Sequence, residues 1–205
     1  MTRTERQAHG FIFQSYIMKK FLDVAYVGKW DIPAKINPIT HKSVSIKTSK
    51  WKSGLGMGDA LTQYNINEDF QLLVAFYDEN NNKKRVVYLQ LITIPLAKWK
   101  KLWGNMKLDD LRKLDSLIKN RKYRNLSGEN LNKFRNNVQK EKDKLLMTYT
   151  GKISLNPKID SKTQRRLQCS IPFTVLFEEF GLIKEKMNSY KLWGQDINLR
   201  SISLD

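Results

Sequence analysis

Asp31, in Gly28-Lys29-Trp30-Asp31-Ile32-Pro33, and the run Lys42-Ser43-Val44-Ser45-Ile46-Lys47-Thr48-Ser49-Lys50 hold the residues best suited to chemistry. The second segment contains a β-branched, alternating stretch, so it is expected to be extended, and a period of two puts Ser45 and Lys47 on one face. Asp31, fourteen residues before Ser45, stands where a turn enters a short strand, and a carboxylate there can project from a sheet edge. Two neighbouring strands can then gather the Asp31 carboxylate, the Ile46 main-chain carbonyl and the Lys47 ammonium around one oxygen-ligated cation of the Mg2+ type. Such a cation polarises a phosphate ester and lowers the pKa of a bound water. The plainer readings are a turn aspartate capping its own backbone and a solvated strand lysine.

The elements that must position these groups are legible in outline. Phe11, Ile12, Ile17, Met18, Phe21 and Leu22 recur near helical period within residues 3–21, with Thr4 as a candidate N-cap. A turn from Gly28 enters a short strand ending at Pro33, and Ile39 to Thr48 forms a second strand. Residues 49–58 then read as a flexible basic loop with three glycines, followed by a helix from Gly58 to about Tyr64. The runs FQLLVAFY and RVVYLQLITI, separated by Asp78-Glu79-Asn80-Asn81-Asn82, predict a β-hairpin.

After Pro95 the period becomes helical. Leu108, Leu111, Leu114, Leu117 and Ile118 form one apolar stripe, and a second helix follows Ser127. Residues 148–158 and 166–171 read as strands around a basic turn, and Pro172 opens a short helix that Gly181 ends. The expected fold is therefore a single α/β domain, a central mixed sheet flanked by helices. Residues 1–95 form its core, and 96–205 add a helical arm and hairpin elaborations.

The chain has 205 residues, 37 lysines and arginines and 20 acids, a net charge of +17, and both halves are basic. An excess of that size favours a polyanionic partner, because neutralised phosphates release condensed counterions. An AT-biased genome rich in Lys and Asn codons also produces basic surfaces. The single cysteine, Cys169, excludes an intramolecular disulfide and a cysteine-rich zinc module, and suggests a reduced, cytoplasmic setting. No apolar run suits a membrane span. The Gly54-x-Gly56-x-Gly58 spacing is no phosphate-binding P-loop and no Rossmann fingerprint is present, so no nucleotide cofactor is expected. With only His9 and His41, a histidine-based nuclease centre lacks ligands.

Asp31 followed by Ser45-Ile46-Lys47 resembles the PD-(D/E)XK nuclease superfamily, and more narrowly type II restriction endonucleases. The resemblance covers roughly residues 1–95, in the order helix, Asp-bearing strand, SIK strand, helix, hairpin. It implies a restriction-endonuclease-like core and Mg2+-dependent cleavage of double-stranded DNA by a homodimer. By motif position Asp31 holds the metal and Lys47 stabilises or orients the attacking water. The chain departs from the pattern where Ser45 replaces the second acid and Trp30 the proline. Asp59 or Glu5 is expected to replace that acid, with Asp59 slightly favoured. Each has an ordinary alternative, Asp59 as a helix N-terminal acid and Glu5 as an exposed helix residue. A non-catalytic basic nucleic-acid-binding protein and a structure-specific repair nuclease are the rival readings.

Two segments are candidates for DNA contact. Ser49, Lys50, Lys52 and Ser53 surround Trp51 just past the SIK strand and suit phosphate positioning. The alternative is a solvated loop with Trp51 tucked into the core. Lys162, Gln164, Arg165 and Arg166 are expected between two strands, a format able to read bases in a major groove, to contact phosphates, or to form a plain basic turn. Trp99, Trp103 and Trp193 are expected to pack in a core or interface rather than stack on bases.

Overall fold

The computed structural model describes residues 5–22, 30–81, 83–159 and 165–204, with the side chains of 5–8 excepted. The chain is α/β and folds as two compact units whose segments interleave. One comprises residues 1–55, 68–96 and 173–205, the other 56–67 and 97–172. Residues 56–67 therefore belong with the later part of the chain and residues 173–205 with the earlier part.

The first unit is built on a mixed three-stranded sheet in the order β1 (Val44–Lys50), β3 (Phe70–Asn80), β4 (Lys83–Ile94). β1 and β3 are parallel, with Ser45 opposite Leu72 and Lys47 opposite Val74, and β3 and β4 form the expected antiparallel hairpin. The strands of that hairpin run on to Asn80 and from Lys83, tightening the expected five-residue turn. Asn81 takes the left-handed conformation there (φ 49°), which its short polar side chain tolerates. FQLLVAFY is apolar apart from Gln71, whose Oε1 accepts from Thr40 Oγ1, because β3 is central and buried on both faces, as covered parallel strands are.

Helix α1 (Glu5–Phe21) covers one face: Phe13, Ile17 and Met18 share a core with Ile46, Leu73, Ala75 and Tyr77. The other face carries α6 (Phe173–Phe180), whose Phe173 and Phe177 pack on Phe76, with Phe177 also reaching Tyr88. Gly181, at φ 63°, ends α6 as expected, with its N–H donating to the Phe177 carbonyl. Proposed N-cap Thr4 lies outside the described residues.

Both sheet edges are covered. At β1, Ile32 forms one antiparallel bridge with Val44, so the expected strand ending at Pro33 is a single bridge preceded by a bend at Asp31. The expected strand start at Ile39 is also corrected, since residues 38–40 turn and β1 begins at Val44. At β4, the C-terminal segment bridges Arg85 through Ser203, and Ile202 and Leu204 enter the α1 core. Blunted edges of this kind discourage strand addition by other chains. A hairpin unforeseen from the sequence, β7 (Ser189–Leu192) and β8 (Gln195–Asn198), turns through Trp193 and Gly194, both at positive φ.

The second unit contains a sheet in the order β2 (Leu55–Asp59), β6 (Arg165–Ile171), β5 (Ser154–Ile159). β2 replaces part of the expected glycine loop. The short α2 (Ala60–Tyr64) follows it. Helices α3 (Leu96–Trp103), α4 (Leu108–Lys119) and α5 (Gly128–Leu146) complete the unit, the last two as the leucine period and Ser127 predict. Trp99 and Trp103 are fully buried and meet edge to face, so they pack rather than wait for bases. Buried Asp115 of α4 accepts the Leu167 N–H at 3.0 Å and pairs with Lys119 at 2.6 Å, tying α4 to β6.

Candidate functional site

The site lies on the outer edge of β1, where its antiparallel bridge to Ile32 ends. Val44 exchanges both main-chain hydrogen bonds with Ile32. Two residues on, Ile46 meets a side chain instead of a strand: Asp31 Oδ2 accepts the Ile46 N–H at 2.6 Å. The same oxygen lies 3.0 Å from Lys47 Nζ and 3.4 Å from Ser45 Oγ. Lys47 Nζ also donates to the Ile46 carbonyl at 3.2 Å. Asp31, Ser45, the Ile46 main chain and Lys47 therefore converge on one point, although a bend rather than a strand delivers the acid.

In this arrangement the ammonium stands where a cation would. It sits between a carboxylate oxygen and a main-chain carbonyl, the two hard oxygens named for the metal. Both side chains of the pair are mostly covered, with relative exposures of 22% for Lys47 and 19% for Asp31. The donors fit Mg2+, which binds through one or two carboxylates, retains several waters and takes further oxygens from substrate phosphate. No group of three or more His, Cys, Asp or Glu side chains arranged for a metal occurs among the described residues. The arrangement thus supplies one acid, one carbonyl and one hydroxyl.

The proposed replacements for the second acid have other surroundings. Asp59 belongs to the second unit and caps α2, accepting from Thr62 N at 2.9 Å and Thr62 Oγ1 at 3.0 Å. Glu5 opens α1, and its side chain lies outside the described residues. Among the described residues, Glu68 is an acid beside this face of β1, distinct from the expected Asp59 and Glu5. Its Oε1 accepts from Trp30 Nε1 at 2.8 Å and lies 3.4 Å from Ser43 Oγ, two residues before Ser45 on the same side of the strand. The signal for it is parallel pairing. Once β1 and β3 run side by side, with Gln71 N donating to the Ser43 carbonyl, the residues preceding β3 share an end with Ser43.

Of the phosphate-contact candidates, Ser49 and Lys50 are the last residues of β1 rather than parts of a loop. Ser49 Oγ donates to the Gly54 carbonyl, and Lys50 pairs with Glu79 at 3.3 Å. Lys52 and Ser53 are exposed in the turn that follows, and Lys52 takes φ 67°. Trp51 is packed among Phe76, Tyr88, Phe173 and Phe177. Lys47 and Lys50 are three strand residues apart, about 10 Å, so the exposed turn continues the line of the Asp31–Lys47 edge.

Lys162 and Gln164 lie outside the described residues. Arg165 and Arg166 begin β6. Arg166 is half-buried and donates Nε and Nη2 to the Gln168 side-chain oxygen, with the amide oriented by those contacts. Arg165 is half-buried as well and donates to the Tyr123 carbonyl, so neither guanidinium is held out as a free probe.

Comparison with protein-family models, with curated proteins and with solved structures finds no match to this chain. The likeness to nucleases rests on the residues named above.

Proposed function

We propose that this protein is a Mg2+-dependent endonuclease of restriction type, acting on double-stranded DNA as a homodimer. The observation that carries the reading is the meeting of Asp31 Oδ2, Lys47 Nζ and the Ile46 main chain within 3.2 Å on the edge of β1, just past its bridge to Ile32. Asp31, the Ile46 carbonyl and Ser45 Oγ would hold the cation, and Glu68 is a further carboxylate on that side of β1, beside Ser43. When bound, Mg2+ supplies Lewis-acid polarisation of the phosphate. The protein's own contribution is positional: Asp31 is fixed by the Ile46 N–H, and Lys47 places a full positive charge where negative charge grows on the phosphate in the transition state. The exposed Lys52 and Ser53 turn and the net charge of +17 hold the DNA through its backbone.

One observation favours a non-catalytic nucleic-acid-binding protein instead. Asp31 and Lys47 satisfy each other and both Ile46 backbone groups, which is a complete device for closing a strand edge. Incubation of plasmid and genomic DNA with Mg2+ separates the readings. Discrete fragments, lost with EDTA and with Lys47→Ala while DNA binding persists, support the restriction-type nuclease. Salt-sensitive binding without cleavage across many sequences supports the second reading, and cuts confined to junctions or nicks assign a structure-specific repair nuclease.

A further inference from the structure

Three arginines of the second unit gather with no carboxylate among them in the described residues. Arg165 starts β6 opposite Ile159 at the end of β5. Arg135 of α5 donates Nε and Nη2 to the Ile159 carbonyl at 3.2 and 3.1 Å. Arg165 donates to the carbonyl of Tyr123, the residue before Arg124, and its guanidinium lies 5.1 Å over the Phe134 ring, which stacks on Tyr123. Nε and Nη1 of Arg165 are buried and have no hydrogen-bond partner among the described residues. Burial, then the charges of Arg124 and Arg135, push the Arg165 pKa down, and a guanidinium still remains protonated at neutral pH.

A concentration of like charge around half-buried donors is costly without a counter-ion. The second unit's described carboxylates are all occupied elsewhere. Asp109, Asp110, Asp115, Glu129 and Glu141 each pair with a lysine or arginine one turn along their own helix. Asp143 accepts from Gln139 and Asp59 caps α2. Asp160 lies outside the described residues. Arg124 and Arg135 are exposed, as are Arg121 and Lys122, which lie just before Arg124 in the chain.

We propose that Arg124, Arg135 and Arg165 form a phosphate-binding site for a nucleic-acid backbone, separate from the Asp31–Lys47 edge. Guanidinium forks match tetrahedral phosphate oxygens. Arg124 makes the direct contact, while Arg135, whose Nη1 also donates to Asn132 Oδ1 at 3.3 Å, and Arg165 add positive charge beside it. The adjoining Arg121 and Lys122 favour a polymer of phosphates over a single ion. The site rests on the nucleic-acid part of the function proposed above and is independent of cleavage.

The test uses the full chain without Mg2+ and a fluorescent mixed-sequence duplex, titrated by anisotropy at several KCl concentrations. The Arg124 side chain makes no hydrogen bond or ion pair among the described residues, so Arg124→Gln leaves the fold intact. It is expected to weaken binding about three- to tenfold at physiological salt and to lower the slope of log affinity against log salt by about one. Lys140→Gln, an exposed change on α5, serves as the control for net charge. Arg124→Glu supplies an internal carboxylate, so it should raise the melting temperature in dilute chloride and weaken duplex binding further. Equal losses for Arg124→Gln and Lys140→Gln overturn the site. A failure of the unaltered protein to bind duplex overturns the proposed function itself. If inorganic phosphate then raises the melting temperature above chloride of equal ionic strength, and Arg124→Glu abolishes that rise, the cluster takes free phosphate and the nucleic-acid assignment falls. Should Asp160→Asn lower the melting temperature while Arg124→Gln leaves duplex binding unchanged, Asp160 is the counter-ion and the proposal fails.

Discussion

Replacing Lys47 by alanine should tighten binding of Mg2+ while abolishing cleavage. The expectation follows from the position of the ammonium, 3.0 Å from Asp31 Oδ2 and 3.2 Å from the Ile46 carbonyl, between the two oxygens a cation needs. A divalent ion entering there must first separate the pair. The pair is neither fully exposed, where such contacts contribute less than about 1 kcal/mol, nor deeply buried, so its disruption costs about 1–1.5 kcal/mol. Lys47→Ala removes that cost, and the dissociation constant for Mg2+ should fall about five- to tenfold. Asp31→Asn deletes the anionic ligand and should abolish measurable binding while keeping an acceptor for the Ile46 N–H. Calorimetric titration of both variants and the unaltered chain with MgCl2 reads the difference, and a plasmid digest reads activity. Mg2+ affinity unchanged in both variants would refute the reasoning, because the cation would then bind away from Asp31 and the Ile46 carbonyl. If Lys47→Ala alone weakens binding, the lysine helps assemble the site rather than competing for it.

Further expectations concern stability. Asp115→Ala leaves the Leu167 N–H without its acceptor and frees Lys119, and chemical denaturation should show a loss of about 2–3 kcal/mol. Gly104→Ala should cost a comparable amount, about 2 kcal/mol, since Gly104 takes φ 53° and an added Cβ would run into the Gly151 backbone; a melting temperature within a degree of the unaltered chain would contradict this. Burial pushes the Cys169 thiol from 9.0 up to about 12, so below pH 9 it is protonated in both states. Above that, only the unfolded chain ionises, and stability is lost as pH rises through the folded value. Tyr149, raised from 10.0 to about 12 by burial, adds the same trend from pH 10. Unfolding free energy should therefore fall by up to about 1.4 kcal/mol per pH unit for each such group, and a thiol reagent should label Cys169 only after denaturation.

Local patterns carried much of this fold. α1, the β3–β4 hairpin, the β5–β6 pair (though β5 starts at Ser154 rather than 148), α4, α5 and the α6 stop at Gly181 follow from apolar period and turn chemistry, which act over a few residues. The meeting of Asp31 with Lys47 was legible for a similar reason: period two fixed the side of Ser45 and Lys47, and a short connection kept the acid near. Tertiary structure decided the rest. The glycine segment Leu55–Asp59 is a strand only because β6 lies beside it, and the β7–β8 hairpin turns through Trp193, a residue that gives no turn signal. Glu68 reaches Ser43 and Trp30 because β1 and β3 pair in parallel. Arg165 is drawn onto Tyr123 and Phe134 rather than held out from a turn. Side-chain period records which face a residue takes and not which distant segment will cover it. Because loop-closure entropy rises only slowly with loop length, many remote partners are almost equally accessible to the chain, and the choice among them is made by packing.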